Sequence, residues 1–334
     1  MERIMDRIEP IPLDRNLALE AVRVTEAAAR AASQLIGCGD EVAADQAAVD
    51  AMRRSLNALD IEGTVVIGEG ERDEAPMLYI GEKVGTGNGP KLDIALDPLE
   101  GTTICATGGP NALAVMAFAE AGGFLNAPDT YMEKIAVGDG LPSDLVDLDS
   151  TPLQNLTELA KAKKCEIGDL MVLILDRPRH EEIILKVRES GARVQLIKDG
   201  DVAGVIATTR LNPSVDIYMG IGGAPEGVLA AAALRCIGGQ MSGRLVFRNS
   251  DEKTRAHKMG IKDLNRKYQL NELAGGDVMF AATGVTDGAM LKGIHTSHNG
   301  MYTHSVVMRS ATGTLRLIQA EHDYERGVIG RERH

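Results

Sequence analysis

Apolar positions recur at intervals of three and four from about residue 15 to 36: Leu17, Ala21, Val24, Ala28, Ala31 and Leu35 share one face, and Gly37 supplies a natural stop. The same spacing predicts a second helix over about 43 to 59, with Ala48, Met52, Leu56 and Leu59 on its apolar stripe. Asp45 lies three before Ala48 and four before Val49, so an acid continues that stripe into the first turn. There it either offsets the helix dipole or faces something positive. Short apolar runs then predict strands at 64–67, 92–96, 112–118 and 123–126, with another opening at Tyr131-Met132-Glu133-Lys134. Helices followed by strands read as an α+β lobe over residues 1–150. From about 150 the rhythm changes to alternation: a helix at 153–163, a strand at 170–175, a helix at 181–190, a strand at 194–197, another helix, a strand at 215–219, the loop Gly220-Ile221-Gly222-Gly223-Ala224 and a helix opened by Pro225-Glu226-Gly227. This predicts a wound α/β lobe over 151–334, with strand-like runs at 244–247, 278–282, 306–309 and 315–318 completing the sheets.

The stretch Leu92-Asp93-Ile94-Ala95-Leu96-Asp97-Pro98-Leu99-Glu100-Gly101-Thr102-Thr103 begins as a buried strand and ends as a turn. Pro98 lacks a ladder donor, so regular pairing is expected to end there and leave Asp97 at a strand tip. Glu100 can fold back toward Asp97, Gly101 permits close backbone approach, and Thr102 adds a hydroxyl. Such a turn is ordinary by itself. Two carboxylates and a hydroxyl around a small gap also suit a hard divalent cation, and that cation suits phosphate. Other acids stand at other element ends. Four fall within Gly68-Glu69-Gly70-Glu71-Arg72-Asp73-Glu74, directly after a strand, and glycines on both sides of Glu69 exceed what a solvated acidic loop needs. In the second lobe, strand ends carry Arg177 and Arg179, Asp199 and Asp201, and the glycines leading to Glu226, where ligands of wound sheets bind.

At 334 residues the chain can bury a large core, and its formal charge of −12 argues against a nucleic-acid binder. No tryptophan and four phenylalanines leave little for base stacking. No apolar run approaches a membrane span, and the charged start Met1-Glu2-Arg3-Ile4-Met5-Asp6-Arg7 lacks a secretory core, so a cytoplasmic protein is expected. Cys38, Cys105, Cys165 and Cys236 form no CxxC pair and fit reduced thiols. Six of the seven histidines lie beyond residue 250 in no ligand pattern. A homo-oligomer, dimer or tetramer, is expected, with the segment before Leu17, marked by Pro10 and Pro12, as an arm or subunit contact.

Asp97-Pro98-Leu99-Glu100-Gly101-Thr102 resembles the aspartate-proline signature of metal-dependent sugar phosphatases. With the blocks at 67–78, 126–134 and 220–227, the chain from about Leu17 onward resembles class II, GlpX-type fructose-1,6-bisphosphatases. The resemblance implies a layered αβαβα sandwich, Mg²⁺ or Mn²⁺ held by Asp45, Glu69, Asp97, Glu100 and Glu226, and a sugar bisphosphate contacted by Glu100, Gly101, Thr102, Tyr131, Arg177, Arg179, Asp199, Gly200, Asp201 and Gly223. Glu71 and Asp73 match positions the family needs for activity. Two departures stand out: Glu41 where the family often has lysine, which alters the rim of the site, and Arg177 where lysine is frequent, which keeps a cation.

The mechanism this implies is in-line attack by a water that the metals activate and Thr102, polarised by an acid such as Asp73, orients. Arg177 and Arg179 would clamp the phosphate that is not cleaved. A sedoheptulose bisphosphate, an inositol phosphate or a nucleotide 3′-phosphate would suit the same chemistry, and a non-catalytic sugar-phosphate sensor is the rival from another class.

Overall fold

The computed structural model describes residues 16–70, 77–209 and 214–323. In chain order its elements are α1 (Leu17–Ser33), α2 (Glu41–Asn57), β1 (Glu62–Ile67), β2 (Lys83–Val84), β3 (Lys91–Glu100), α3 (Thr102–Thr107), β4 (Leu113–Glu120), β5 (Tyr131–Val137), α4 (Pro152–Lys163), β6 (Met171–Leu175), α5 (Glu181–Glu189), β7 (Arg193–Ile197), α6 (Asp201–Ile206), β8 (Ile217–Gly223), α7 (Ala224–Ile237), β9 (Gln240–Val246), α8 (Ser250–Lys258), β10 (Lys267–Gln269), α9 (Leu270–Leu273), β11 (Val278–Gly284), β12 (His295–Thr296), β13 (Gly300–Arg309) and β14 (Thr314–Asp323).

Two mixed sheets carry the fold. One runs β12-β13-β11-β4-β3-β1-β2 with β14 on the other side of β13, and the second runs β10-β9-β5-β8-β6-β7. The first sheet therefore draws strands from both ends of the described chain. The second takes its strands from the middle, so a lobe boundary near residue 150 falls within its span, between β5 and β6.

Strand alternation assigns the layers. On β3 and β4, Ile94, Leu96, Met116 and Phe118 face α1 and α2, joining Val24, Ala28, Met52 and Leu56 in one core. Ala95, Val115 and Ala117 face the other way, toward α7 and the inner face of the second sheet, where Ala136, Tyr218 and Leu245 close the main core. The outer face of that sheet packs Val172, Ile174 and Ile217 on Leu156, Leu159, Ile184 and Val187 of α4 and α5. The result is an αβαβα sandwich. The middle helix α7 buries residues on all sides, and the run Ala230-Ala231-Ala232-Ala233 keeps it slim enough for sheets on both flanks.

Three local expectations are corrected. Pairing of β3 with β4 does not stop at Pro98: it breaks between Asp97 and Glu100 and resumes at Glu100↔Leu113, so the proline sits in a bulge. Residues 220–223 are not a loop but the end of β8, paired through backbone with β5 from Lys134 to Tyr131. The apolar run at 123–126 forms no strand, only a bridge from Phe124 to Ala274.

Candidate active site

Alternation along the strands also aims the acids. Glu69 lies two residues beyond inward-facing Ile67, and Asp97 two beyond inward-facing Ala95, so both acids continue the inner face past the edge of the apolar core. At the same edge α7 opens with Ala224 and Pro225, and Glu226 follows in its first turn. A cleft of about 470 Å³ opens there. Asp45, Glu69, Asp97, Glu100, Gly101, Thr102, Tyr131, Asp199, Asp201, Gly223 and Glu226 all line it.

Glycines make room for the carboxylates. A Cβ at Gly222 would overlap the carboxylate of Asp201. Gly101 adopts φ 88°, in the left-handed region, and turns the end of β3 directly into α3, whose first residue is Thr102. Asp97 Oδ1 accepts the Leu99 amide at 3.0 Å, which shapes the bulge.

Charge at the cleft is predominantly negative. Glu69 is held well above the usual carboxylate range by burial, then by Asp97, Asp45 and Glu226. Asp97 is raised in the same way by burial, Glu226 and Asp45, and Glu100 by burial and Asp97. Asp45 is raised by burial. Glu226 is also raised by burial, although the Lys134 ammonium opposes the shift.

Glu100 is 3% exposed, and its Oε1 accepts the Val202 amide at 2.5 Å, while its buried Oε2 has no hydrogen-bond partner. Among the described residues no three His, Cys, Asp or Glu side chains already close on one point. Hard oxygen donors, mutual repulsion and a buried carboxylate oxygen left without a partner fit a divalent cation, which Asp45, Glu69, Asp97, Glu100 and Glu226 could hold.

A buried polar group supports the cleft floor. Lys134, 1% exposed, pairs with Asp201 and donates to the Gly223 carbonyl at 2.8 Å, and the Tyr218 hydroxyl donates to the other Asp201 oxygen. Both Asp201 oxygens are thereby engaged. Beside them, His180 Nε2 accepts the Ile221 amide at 2.7 Å and Nδ1 donates to the Leu175 carbonyl at 2.8 Å, an arrangement that needs the neutral ring. Burial accordingly pushes the His180 pKa down.

Not every expected residue reaches the cleft. Gly200 lies in a neighbouring cavity of about 50 Å³ together with Asp199 and Asn111. Neither Arg177 nor Arg179 lines the cleft wall. Arg177 is close enough to Asp199 to oppose the rise that burial imposes on that carboxyl. Arg179 donates through Nε to the Ile221 carbonyl at 2.9 Å and stacks on the Tyr131 ring at 4.8 Å. Glu71 and Asp73 lie outside the described residues. Asp129 and Arg248 line the cleft without having been assigned a part from sequence. Asp129 stands inside the 126–134 block, whereas Arg248 directly follows a strand-like run and has no local signal.

Fold and site together define a layered α/β protein whose anionic cleft is suited to divalent cations. The profile of the family described as "Bacterial fructose-1,6-bisphosphatase, glpX-encoded" matches residues 15–322. "Fructose-1,6-bisphosphatase 1 class 2" of Escherichia coli (strain K12) is 46% identical over 326 residues, covering 93% of this chain and 96% of that protein. "Fructose-1,6-bisphosphatase class 2" of Shigella flexneri is similar to the same extent. The chain belongs to the GlpX-type bacterial fructose-1,6-bisphosphatase family.

Proposed function

We propose that the chain hydrolyses fructose 1,6-bisphosphate to fructose 6-phosphate and phosphate, with Mg²⁺ or Mn²⁺ as cofactor. The observation that carries this reading is that Asp45 of α2, Glu69 just past β1, Asp97 and Glu100 of β3, and Glu226 of α7 line a single cleft.

Bound divalent cations supply charge neutralisation at the phosphate and a water acidified enough to act as nucleophile. The chain's own part is positional. Gly101 lets the backbone approach a phosphate oxygen, and Thr102, polarised by an acid such as Asp73, is assigned the orientation of the attacking water, while Glu71 matches a position the family needs for activity. Tyr131, Gly223 and the segment Asp199-Gly200-Asp201 are assigned to the sugar phosphate. Since Lys134 and Tyr218 occupy the Asp201 carboxylate, that residue's share is to hold the floor rigid. Arg177 and Arg179 provide positive charge behind the wall. The reading includes a cytoplasmic location, with which four free cysteines agree.

Phosphate release from fructose 1,6-bisphosphate, measured on dialysed enzyme with and without added Mg²⁺ or Mn²⁺, tests the proposal. Loss of turnover without metal and its recovery on addition is expected. An undiminished rate in metal-free enzyme would overturn it.

A further inference from the structure

Among its described lining residues the cleft presents eight carboxylates and one basic side chain, Arg248. Its environment fixes the guanidinium plane. Arg248 stacks over the Tyr131 ring at 5.0 Å, and its Nε donates to Glu252 Oε1 at 2.6 Å. Glu252 is 1% exposed, and its second oxygen accepts the Arg248 amide at 2.7 Å and lies 3.0 Å from Thr130 Oγ1. The Asn249 side chain caps α8 by accepting the Glu252 amide at 2.9 Å, so the carboxylate that grips Arg248 stands on a capped first turn. The two Nη nitrogens have no hydrogen-bond partner among the described residues, and the side chain remains more than half exposed.

A planar cation held by a ring and a carboxylate on the wall of a ligand cleft, with both Nη nitrogens lacking a partner among the described residues, is arranged for bidentate recognition of an oxyanion. A sugar bisphosphate brings two such groups. The acids at Asp45, Glu69, Asp97, Glu100 and Glu226 can accept one of them only through cations, which leaves the other to a basic side chain. We infer that Arg248 binds the phosphate that is not cleaved and so selects bisphosphates, with Glu252 as its positioning residue. This rests on the sugar-bisphosphate reading of the cleft. It adds to that reading the one cation among the described residues of the cleft wall, with Arg179 behind Tyr131 in a supporting place.

The test uses full-length, metal-loaded enzyme and compares wild type with Arg248→Gln, Arg248→Lys and Glu252→Gln. The readouts are kcat and KM for fructose 1,6-bisphosphate, and inhibition by fructose 6-phosphate, which carries only the uncleaved phosphate. Loss of a charge-assisted pair predicts for Arg248→Gln a rise of ~10- to 100-fold both in KM and in the inhibition constant, with the larger part of the effect in KM. Arg248→Lys, which keeps the charge without the fork, falls between. Glu252→Gln shifts both constants in the same direction by less. A loss confined to kcat, or a raised KM with unchanged fructose 6-phosphate inhibition, would overturn the assignment and leave Arg248 as a tether for α8. Wild-type enzyme that released no phosphate from fructose 1,6-bisphosphate with either metal would instead remove the underlying reading, and this assignment with it.

Discussion

Gly223 and Glu226 are packed so closely that no side chain fits between them: a Cβ on Gly223 would overlap the Glu226 carboxylate. Gly223→Ala is therefore expected to displace one member of the acidic ring while β8 keeps its pairing with β5. A misplacement of about 1 Å at such a site costs on the order of 10²-fold in rate. A parallel rise in the metal concentration needed for half-maximal turnover, with an unchanged unfolding midpoint, would identify displacement of Glu226 as the cause.

Glu100→Gln separates charge from architecture. The Gln carbonyl can still accept the Val202 amide that now reaches Oε1, so the fold is retained. Turnover is expected to fall at least ~10²-fold through loss of a carboxylate at the metal positions. In the absence of metal the variant should be no less stable than wild type, because the charge it removes is one that burial and Asp97 disfavour. Activity assays and metal-free urea unfolding, run on the same preparation, check both halves.

The acids also set a pH dependence. Glu69 and Asp97 have pKa values raised on folding, so the native state holds more protons than the unfolded chain above the ordinary carboxylate range near about pH 4. Their contribution to stability is fully present below that range and is lost as pH rises through the raised values. His180, His304 and His322, whose pKa values burial pushes down, act in the opposite direction, so the useful quantity is a difference. In metal-free protein, Asp97→Asn should gain stability relative to wild type between about pH 5 and pH 8, and added Mg²⁺ or Mn²⁺ should stabilise wild type increasingly over the same interval. Urea midpoints that ran parallel for the two proteins across this range would contradict the expectation.

Lys134 is the buried cation under the floor, and its partner Asp201 is itself buried. Lys134→Met leaves that carboxylate without a counter-charge and is expected to cost about 3–5 kcal/mol of stability. Adding Asp201→Asn should recover part of the loss by removing the stranded charge. Equilibrium unfolding of the single and double variants measures both effects.

How much of this could be read from the chain depends on which contacts are local. Helices α1, α2, α4 and α5 are legible because their apolar spacing reflects their own buried faces, and Asp45 is legible because it continues such a stripe. The end of β8 is not, since Gly220, Gly222 and Gly223 resemble a turn in sequence and become a strand only because β5 supplies backbone partners. At 123–126 the reverse happens: apolar character suggests a strand, but there is no neighbour for it beyond the single bridge. Glu69, Asp97 and Glu100 are visible through the turn and glycine chemistry around them, whereas Glu226 follows only from the family resemblance and Asp129 carries no signal of its own. Lys134 reads as one more polar residue of a strand, and Arg248 has no pattern of its own, because the groups that fix it come from β5 and α8.

The central position of β4 has a consequence during synthesis. One of its neighbours, β3, precedes it directly, but the other, β11, emerges from the ribosome roughly 160 residues later. At ~5–20 residues per second that is ~8–30 s in which an almost wholly apolar strand offers an uncovered row of amides and carbonyls to any passing chain. Nascent protein truncated between β10 and β11 should be the form most dependent on chaperones, and the one that precipitates first when they are withdrawn.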